Sequence, residues 1–369
     1  MTTFTPHQDA ALKAAAAWLA ARPGRKGVPL VFRLFGYAGT GKTTLARHLA
    51  EGVDGKVLYA AFTGKAALVM RNKGCNGAST IHSLIYRTRE RDDEAPSFEL
   101  WDDAPASRAQ LIVIDECSMV DEELGRDLMS FGVPLLVLGD PAQLPPVQGA
   151  GFFTEAEPDA MLSEVHRQAQ GDPIVRLSMQ VRAGERLEAG TYGQTQVVRR
   201  ADLDPERVME ADQILVGRNA TRRAYNARMR ERLGFDSALP LAGDRLVCLR
   251  NNKKKGLFNG GLWQVAESSP PRRGLVKLRI VPEEDPAATP MKVTIRAECF
   301  TGGIENFDWA SRKRYDEFDF GYVLTVHKAQ GSQWDDVMLF DESFAFPDAR
   351  ERWLYTGITR AARRLTLVT

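Results

Sequence analysis

The sequence predicts an α/β protein with two lobes, each built on a parallel sheet that helices cover on both faces. Short apolar runs without strict alternation recur between helical stretches in the first half, at 31–35, 57–62, 111–115 and 134–139. A second set lies at 213–217, 322–326, 336–340 and 365–369. Nearly continuous apolar character is typical of parallel strands that are buried on both faces. The two sets therefore indicate two α/β layers.

Two segments interrupt this pattern. Residues 241–320 contain alternating strands separated by Gly, Pro and Asn turns, which predict a small antiparallel, barrel-like β domain inserted into the second lobe. The mostly polar stretch 87–107 predicts a small hairpin insertion in the first lobe. The resulting division is a first lobe of 1–86 and 108–157, and a second lobe of 158–240 and 321–369.

Composition excludes several classes of protein. With 369 residues, 44% hydrophobic and 26% charged, the chain is long enough for two or three globular domains. The 49 basic residues almost balance the 48 acidic ones, so any nucleic-acid surface must be local. The four cysteines form no CxxC pair, which argues against a zinc site or a disulfide framework and favours a reducing compartment.

Neither a signal peptide nor a membrane span is predicted. The N-terminal stretch lacks a basic segment followed by an apolar core, and its alanine-rich run is broken by Lys13 and Arg22. Nowhere does the chain have about 18 consecutive apolar residues. We therefore expect a cytoplasmic protein with no membrane partner.

The strongest chemical signal is a glycine-rich turn between the first predicted strand and the following helix. The run Gly36-Tyr-Ala-Gly-Thr-Gly-Lys-Thr43 fits the GxxxxGK[ST] pattern. Its glycines allow consecutive backbone N–H groups to face phosphates, and the helix N-terminus adds partial positive charge. Lys42 is expected to reach the β- and γ-phosphates, and the Thr43 hydroxyl to bind Mg²⁺.

Polar residues follow two further predicted strands. Asp115 and Glu116 end the run LIVIDE, at the edge where open α/β sheets bind ligands. We expect Asp115 to hold Mg²⁺ through its water shell and Glu116 to polarise the attacking water. Gln143, after the run PLLVLGD, is an uncharged amide that could bond both a γ-phosphate oxygen and a water.

Read in order, these motifs resemble the series of superfamily one helicases. They are FTPHQ at 4–8, GYAGTGKTT at 36–44, FTGKAA at 62–67, STIHSL at 79–84, IDECSMVD at 114–121, GDPAQLPPV at 139–147, LSEVHRQ at 162–168, YVLTVHKAQGSQWDDV at 322–337 and WLYTGITRAARRL at 353–365. The spellings TGKAA, TIHSL and TVHKAQG are similar to the RecD-like branch, which includes the Dda helicases of phages. The series covers nearly the whole chain.

The resemblance implies two RecA-like P-loop lobes with ATP and Mg²⁺ in the cleft and single-stranded DNA across the top. It also implies movement from 5′ to 3′ with unwinding of duplex ahead. Gln8 would recognise the adenine edge. The residues expected to bind nucleotide are Gln8, Gly36, Ala38, Gly39, Thr40, Gly41, Lys42, Thr43, Thr44, Gln330 and Gly331.

The resemblance also implies two arginine fingers from the second lobe, Arg167 and Arg360. A planar, permanently charged guanidinium supplied across a cleft can stabilise the charge that spreads over the phosphoryl oxygens. It engages only when the lobes meet around ATP, so it couples hydrolysis to closure. The alternative for each is a surface ion pair. His166 could stack on adenine or be an ordinary structural histidine.

DNA contacts are expected on the other edge of the same lobes. The candidates are Thr63, Gly64, Lys65, Thr80 and His82 in the first lobe, and Thr325, His327 and Lys328 in the second. The first three open a predicted helix after a strand, which suits a phosphate. Either histidine could instead be a neutral core residue bonded to a backbone carbonyl.

A steric wedge for strand separation is expected in the 87–107 stretch. Phe98 or Trp101 at a hairpin tip could stack on the last base pair, although Trp101 could equally pack on the first lobe. Two basic clusters have plainer interpretations. Most of the arginines at 222, 223, 228, 230 and 232 are expected to be solvated on a surface helix, and the lysines at 253–255 to lie in a solvated turn or touch a phosphate.

The leading hypothesis is an ATP hydrolase that acts as a DNA helicase, a monomeric motor on single strands and at junctions with duplex. One alternative is a helicase on RNA or on both nucleic acids, because the lobes grip mainly phosphates. Others are an ATP-dependent clamp without processive movement, or a motor subunit of a nuclease complex. No extra docking domain is expected before the first motif, and protein partners are not predicted.

Overall fold

The computed structural model describes residues 4–25, 27–89, 97–145, 151–164, 171–252 and 255–369. Within these ranges lie two six-stranded sheets, a five-stranded antiparallel sheet and a two-stranded hairpin. Every apolar run predicted as a strand contributes to one of the two six-stranded sheets. The predicted α/β class with two lobes is confirmed.

The first lobe holds a parallel sheet with strand order β3-β2-β6-β7-β1-β8. Its strands and hairpin are β1 (Val31–Gly36), β2 (Val57–Ala61), β3 (Ser79–Thr80), β4 (Tyr86–Arg89), β5 (Ser97–Leu100), β6 (Leu111–Asp115), β7 (Leu135–Gly139) and β8 (Ala160–Leu162). Its helices are α1 (Pro6–Ala20), α2 (Lys42–Glu51), α3 (Gly64–Asn72), α4 (Ile81–Ile85) and α5 (Glu122–Met129).

Alternate residues of a central strand face opposite layers of this lobe. In β6, Leu111 and Val113 pack in the cluster that includes Trp18 of α1, whereas Ile112 and Ile114 pack in a different cluster on the other face. Both faces are therefore buried, which is why the run shows no apolar–polar alternation.

The predicted boundary between the lobes needs a correction. It was placed after residue 157, yet β8 pairs in parallel with β1, with Gly36 opposite Leu162. The first lobe therefore extends through β8. A three-residue strand is too short for its apolar pattern to show from the sequence which sheet it joins, and only pairing with β1 decides this.

The second lobe has strand order β17-β11-β18-β19-β10-β9, parallel except for the β9–β10 hairpin. Its strands are β9 (Gly190–Tyr192), β10 (Thr195–Val198), β11 (Gln213–Val216), β17 (Val323–Thr325), β18 (Trp334–Phe340) and β19 (Ala361–Val368). Its main helices are α6 (Pro173–Arg182), α7 (Pro205–Glu210), α8 (Asn219–Arg232) and α11 (Arg350–Ile358). The sequence did not predict β9 or β10.

The inserted β domain is a curled antiparallel sheet. Its strands are β12 (Arg245–Cys248), β13 (Leu262–Ser268), β14 (Leu275–Pro282), β15 (Met291–Arg296) and β16 (Phe318–Phe320), and its short helices are α9 (Glu298–Thr301) and α10 (Trp309–Lys313). The strand order is β15-β14-β13-β12-β16, and an isolated bridge between Ile295 and Asp316 joins the two ends. The sheet therefore approaches a closed barrel.

The inserted domain shares its core with the second lobe. Leu246 and Phe320 of the domain belong to the same buried cluster as Ile214 and Met338 of the parallel sheet. The domain thus has no separate hydrophobic core, and its position on the second lobe is fixed by packing.

In the described ranges no helix is long and apolar enough to span a bilayer. All four cysteines are free, and three of them are buried. Burial raises the pKa of the Cys248 thiol to about 12 and that of Cys299 to about 11, so these thiols are protonated near neutral pH.

Candidate nucleotide site and nucleic-acid interface

The glycine-rich turn has the conformation of a phosphate-binding loop. It joins β1 to α2, and Gly39 and Gly41 have φ values of +76° and +82°. A side chain at Gly41 would also collide with the Gln8 amide nitrogen, 2.9 Å from an added Cβ. Only glycine meets both demands. Lys42 donates from Nζ to the carbonyls of Gly36 and Tyr37, at 2.5 and 3.0 Å, and so lies folded along the loop.

The carboxylates after β6 lie across from this loop. Thr43 Oγ1 donates to Asp115 Oδ2 at 2.9 Å. Glu116 has a left-handed backbone with φ of +54°, which is unusual for a residue with a side chain. Removal from water raises the pKa of the Glu116 carboxyl. The positive charges of Arg360 and Lys42 oppose this shift, and the negative charge of Asp115 adds to it. A carboxyl with a raised pKa is a better proton acceptor than an ordinary one.

The loop after β7 supplies a buried amide. Gln143 is buried, and its Oε1 has no hydrogen-bond partner among the described residues. A buried polar atom without a partner is costly and typically marks a ligand or water position. Asp140 in the same loop is also buried and accepts the Ala142 N–H at 3.0 Å.

A cavity of about 420 Å³ lies between the lobes and collects these groups. Its walls include the loop residues from Ala38 to Thr44, together with Asp115, Glu116 and Gln143 of the first lobe. The second lobe contributes Gly331 and Arg360. Residues from six separate segments therefore converge on one space, as in a ligand site.

Arg360 is held rigidly in its own lobe. It is buried, and it donates to Thr356 O at 3.0 Å, to Ser332 O at 3.1 Å and to Thr359 Oγ1 at 3.2 Å. The structure thus brings this predicted finger to the cavity wall. Arg167, the other predicted finger, and His166 lie outside the described residues.

Gln8 and Gln330 do not line this cavity. The Gln8 amide accepts from Thr5 N–H in the capping box of α1 and donates to Thr40 O at 3.0 Å. It therefore braces the phosphate loop. Gln330 donates to Leu144 O at 3.1 Å, across the two lobes.

An Mg²⁺ ion fits the donors that the cleft offers. Thr43 and Asp115 present a hydroxyl and a carboxylate that are already within hydrogen-bond distance of each other. Hard oxygen donors of this kind are those that Mg²⁺ prefers, with water and substrate phosphates completing its shell. The described residues hold no cluster of three or more His, Cys, Asp or Glu side chains that would indicate another metal site.

The DNA candidates at 63–65 open α3, which follows β2 at the carboxyl edge of the sheet. This is the edge that also carries the phosphate loop, and not the other edge, where they were expected. Thr63 caps the helix by accepting the Ala66 N–H at 3.1 Å. A Cβ added to Gly64 would lie 2.5 Å from the ring of Phe258, so the inserted domain packs directly on this helix end. Phe258 was not singled out in the sequence, because nothing local to its turn points to a partner in the first lobe.

Lys65 departs from its predicted setting. It was expected to offer an ammonium group to a phosphate, but it is only 9% exposed, and its Nζ lies 4.7 Å from the centre of the Trp334 ring in the second lobe. Burial lowers the pKa of this amine. The side chain therefore forms a cation–π contact between the lobes.

Thr80 and His82 lie at the start of α4. Thr80 is buried and caps the helix by accepting the Ser83 N–H at 3.3 Å. The His82 ring is half-buried, 6.0 Å from Phe62 and 5.7 Å from Tyr86 between ring centres. This placement is compatible with both interpretations made from the sequence.

The second-lobe candidates follow β17. Thr325 is buried, and its Oγ1 accepts the Lys328 N–H at 3.3 Å. Lys328 itself is exposed. The His327 ring is half-buried against Phe346, with 5.2 Å between ring centres, and burial lowers the pKa of its imidazole. Of this group, Lys328 is the one exposed residue, although burial lowers the pKa of its amine.

The hairpin is present, but Trp101 is not at its tip. Leu100 pairs with Tyr86, the first residue of β4, so Trp101 lies at the base of the hairpin. There its backbone N–H donates to the carbonyl of Ile85. Its side chain is 37% exposed. Phe98 lies in β5, opposite Thr88, and its side chain is outside the described residues, as is the connecting segment 90–96.

Most of the α8 arginines are solvated, as expected, but two of the five are not. Arg222 and Arg230 are buried and paired with Asp319 and Asp244 respectively, whereas the arginines at 223, 228 and 232 are exposed. Helical spacing shows that the five cannot share one face, but it does not show that carboxylates of the inserted domain pair with two of them. Of the predicted lysine turn, the residues at 253 and 254 are outside the described ranges, and Lys255 pairs with Asp316.

Family models match two parts of the chain. A model described as an AAA domain matches residues 25–203, and one described as a UvrD-like helicase C-terminal domain matches residues 320–368. The first contains the phosphate loop and the carboxylates, and the second contains Lys328 and Arg360.

Solved structures of Pif1 helicases share the fold. One is a structure of two coordinating Pif1 helicases at forked double-stranded DNA. The structural alignment covers 99% of the present chain and 92% of the Pif1 chain, with a TM-score of 0.61 and 19% identity. The Pif1 helicase of Candida albicans covers 100% and 95%, with a TM-score of 0.57 and 16% identity. At such identities the likeness defines the fold, a pair of RecA-like lobes.

Curated relatives are helicases and conjugation proteins. The ATP-dependent RecD2 DNA helicase of Deinococcus radiodurans is 27% identical over 350 residues, which is 90% of this chain and 46% of that protein. The ATP-dependent DNA helicase Dda of phage T4 is 30% identical over 165 residues, 41% of this chain and 37% of that protein. The conjugal transfer protein TraA of Rhizobium radiobacter is 26% identical over 357 residues, 84% of this chain and 29% of that protein.

The fold and the cleft define a P-loop nucleotide-binding protein with two RecA-like lobes. Within that class the chain is similar to the RecD-like, Dda-type helicases of superfamily one, and the resemblance seen in its motifs is confirmed. The chain spans less than half the length of these three curated relatives.

Proposed function

We propose that the chain is an ATP-driven motor that hydrolyses ATP between its lobes, moves along single-stranded DNA from 5′ to 3′ and unwinds duplex ahead of it. The observation that carries the proposal is the composition of the cavity between the lobes. It combines a phosphate loop and a pair of carboxylates from one lobe with a buried arginine from the other.

The first lobe supplies the groups for phosphoryl transfer to water. Backbone N–H groups of the loop and the Lys42 ammonium offset the phosphate charge. Glu116 would take up the proton of the attacking water, and Gln143 would bond that water or a γ-phosphate oxygen through its unpartnered Oε1. Thr43 and Asp115 would hold Mg²⁺, which when bound neutralises charge on the phosphate oxygens.

Arg360 would complete the site from the second lobe. Its guanidinium lies on the cavity wall, and its three bonds to its own lobe keep it aimed there. Because it is carried on a different lobe from the phosphate loop, its distance from a bound nucleotide depends on how the lobes meet. Hydrolysis and lobe movement are thereby coupled.

DNA is proposed to lie along the edge formed by the first residues of α3 and α4 and by the segment after β17. The N-terminal end of α3, whose first residues are buried beside Phe258, adds partial positive charge at this edge, and Lys328 is an exposed residue that suits a phosphate. Names of relatives support this substrate: RecD2 and Dda are DNA helicases, and a Pif1 structure contains single-stranded DNA. Lys65, buried against Trp334, is not assigned a phosphate here.

The primary test is ATP hydrolysis with and without single-stranded DNA, measured as phosphate release. Hydrolysis should rise several-fold with DNA, and RNA of the same sequence should stimulate it less. Lys42→Ala should abolish hydrolysis, and Lys13→Ala, on the exposed face of α1, should not change it. Equal rates with and without DNA would refute a DNA-driven motor, and preferential stimulation by RNA would reassign the substrate.

The direction of movement along DNA is tested with partial duplexes that differ only in whether the single-stranded tail is a 5′ or a 3′ tail. Strand displacement should occur with a 5′ tail and be absent with a 3′ tail. Displacement from the 3′ tail alone would reverse the proposed polarity. DNA-stimulated hydrolysis without displacement on either substrate would instead indicate a clamp.

A further inference from the structure

The outer turn of the phosphate loop is held by two side chains from the second lobe. The Ala38 N–H donates to Tyr355 Oη at 3.1 Å. The Arg182 guanidinium lies over the ring of Tyr37, 3.5 Å from the ring centre. Tyr355 belongs to α11 and Arg182 ends α6, so two neighbouring helices of one lobe grip consecutive residues of the other lobe's loop.

The Tyr355 hydroxyl also connects this turn to the loop after β7. It donates to Asp140 Oδ2 at 2.7 Å while accepting from Ala38, so both of its hydrogen-bonding functions are used. The Tyr355 side chain is 1% exposed. Burial and the adjacent carboxylate raise its pKa, which keeps the hydroxyl protonated and able to donate. One oxygen atom thus ties together two walls of the nucleotide cavity.

We propose that Tyr355 and Arg182 are positioning residues that hold the phosphate loop in its hydrolytic geometry only while the two lobes are in contact. The inference rests on the proposed ATP hydrolysis and differs from the role of Arg360. Neither side chain lines the cavity, so each acts through the loop and not on a phosphate. The loop's backbone amides stabilise charge only when they are pre-arranged. Small displacements of these amides lower the rate of hydrolysis substantially.

Tyr355 holds the loop through hydrogen bonds and Arg182 through a cation–π contact. The two contributions can therefore be tested separately. Loss of the Tyr355 hydroxyl leaves the buried Asp140 carboxylate and the Ala38 amide each short of one partner. Loss of Arg182 removes a planar cation from an aromatic face at an exposed site, where the contact is weaker and the core is untouched. Arg182→Ala should therefore have little effect on folding.

The experiment measures kcat and KM for ATP at saturating single-stranded DNA in matched variants. Tyr355→Phe should lower kcat by about tenfold, as expected for a lost hydrogen bond to a charged group, with KM changed less than about threefold. Arg182→Ala should lower kcat by about threefold, and Arg182→Lys should not restore it, because an ammonium lacks the planar face.

The controls come from the same lobe and use the same substitutions. Arg176 of α6 stacks on Tyr192 with 5.0 Å between the guanidinium and the ring centre, and Tyr192 donates its hydroxyl to Glu188 O. Neither contacts the phosphate loop. Arg176→Ala and Tyr192→Phe should keep the wild-type kcat. Wild-type kcat in both Tyr355→Phe and Arg182→Ala would overturn the proposal.

A second measurement does not need activity. Hydrogen–deuterium exchange of the peptide that contains Ala38 should speed up in nucleotide-free Tyr355→Phe and stay unchanged in Tyr192→Phe. If the wild-type chain fails to hydrolyse ATP but exchange at Ala38 responds in this way, the proposed function fails while the contact between lobes and loop stands. Unchanged exchange in Tyr355→Phe would show that the hydroxyl does not hold the loop.

Discussion

Glu116 is the residue proposed to take up the proton of the attacking water. It combines a left-handed backbone with a position on the cavity wall beside Asp115. A residue with a side chain adopts that conformation at a cost of order 1–3 kcal/mol, which the surrounding structure must offset. Because strained residues cluster at functional sites, the backbone and the carboxyl chemistry favour the same assignment.

Glu116→Gln should therefore separate nucleotide binding from hydrolysis. The amide keeps the size of the side chain but cannot accept the proton of water, so turnover should fall by about 10². Binding of a fluorescent ATP analogue should stay within a small factor of wild type. Loss of binding together with turnover would show that Glu116 has a structural role, and unchanged turnover would exclude it as the base.

His327 predicts a pH dependence of stability. Burial lowers its pKa in the folded chain below the usual value of about 6.5. As pH falls through about 6.5, the unfolded chain binds the proton first, so this contribution to stability is present above that pH and is lost below it. One such proton changes the free energy of unfolding by at most about 1.4 kcal/mol per pH unit.

The measurement is the thermal midpoint between pH 7.5 and pH 5.5. His327→Gln should flatten the decrease seen in wild type, and His48→Gln, at an exposed histidine, should keep the wild-type slope because it leaves His327 in place. An unchanged slope in His327→Gln would show that folding does not lower the pKa of the His327 imidazole.

Helix α8 is the element that fastens the inserted domain to the second lobe. Arg230 reaches both carboxylate oxygens of Asp244 at 2.9 Å, just before β12. Arg222 donates to Asp319 of β16 at 2.7 Å. Both pairs bridge separate elements, and a charge left alone in such a setting is strongly unfavourable.

Arg222→Ala should consequently destabilise the chain, whereas Arg223→Ala should not. Removing Arg222 leaves Asp319 without its cation, and the loss should be about 3 kcal/mol, the lower end for buried pairs. Arg223 is the adjacent, exposed arginine of the same helix, and its loss should cost no more than about 0.5 kcal/mol. Chemical denaturation measures both, and equal effects would contradict the assignment of Arg222 to a structural pair.

At the scale of the whole molecule, hydrogen bonds connect the two lobes through one residue. Thr356 Oγ1 accepts the Leu144 N–H at 2.9 Å, and Gln330 donates to the carbonyl of the same residue. Leu144 itself packs in the hydrophobic cluster of the second lobe. The loop that carries Gln143 is thus anchored in the opposite lobe, so movement of one lobe acts on the cavity wall that Gln143 forms.

Arg360→Ala tests the coupling between the lobes. Removal of a trans-acting guanidinium should lower the rate of ATP hydrolysis by about 10³ or more. Affinity for single-stranded DNA should change little, because Arg360 lies in the nucleotide cavity and not at the proposed DNA edge. Arg363→Ala, a nearby exposed arginine, serves as the control for both measurements. Selective loss of DNA binding would move Arg360 to the other site.

What the sequence by itself determined was the local chemistry. The phosphate loop, Asp115, Glu116 and Gln143 each follow a strand whose apolar pattern is local, and parallel strands end at one edge, so their convergence was predictable. The two sheets and the inserted β domain followed from the same periodicities.

The tertiary structure decided everything that depends on contacts between distant segments. It placed β8 in the first lobe, buried Lys65 on Trp334, and supplied Arg222 with Asp319. It also brought Tyr355 to the Ala38 amide, across 317 residues of chain. Helical or strand periodicity reports which face of an element is apolar, but not which partner covers it, and so these contacts could not be read from the order of residues.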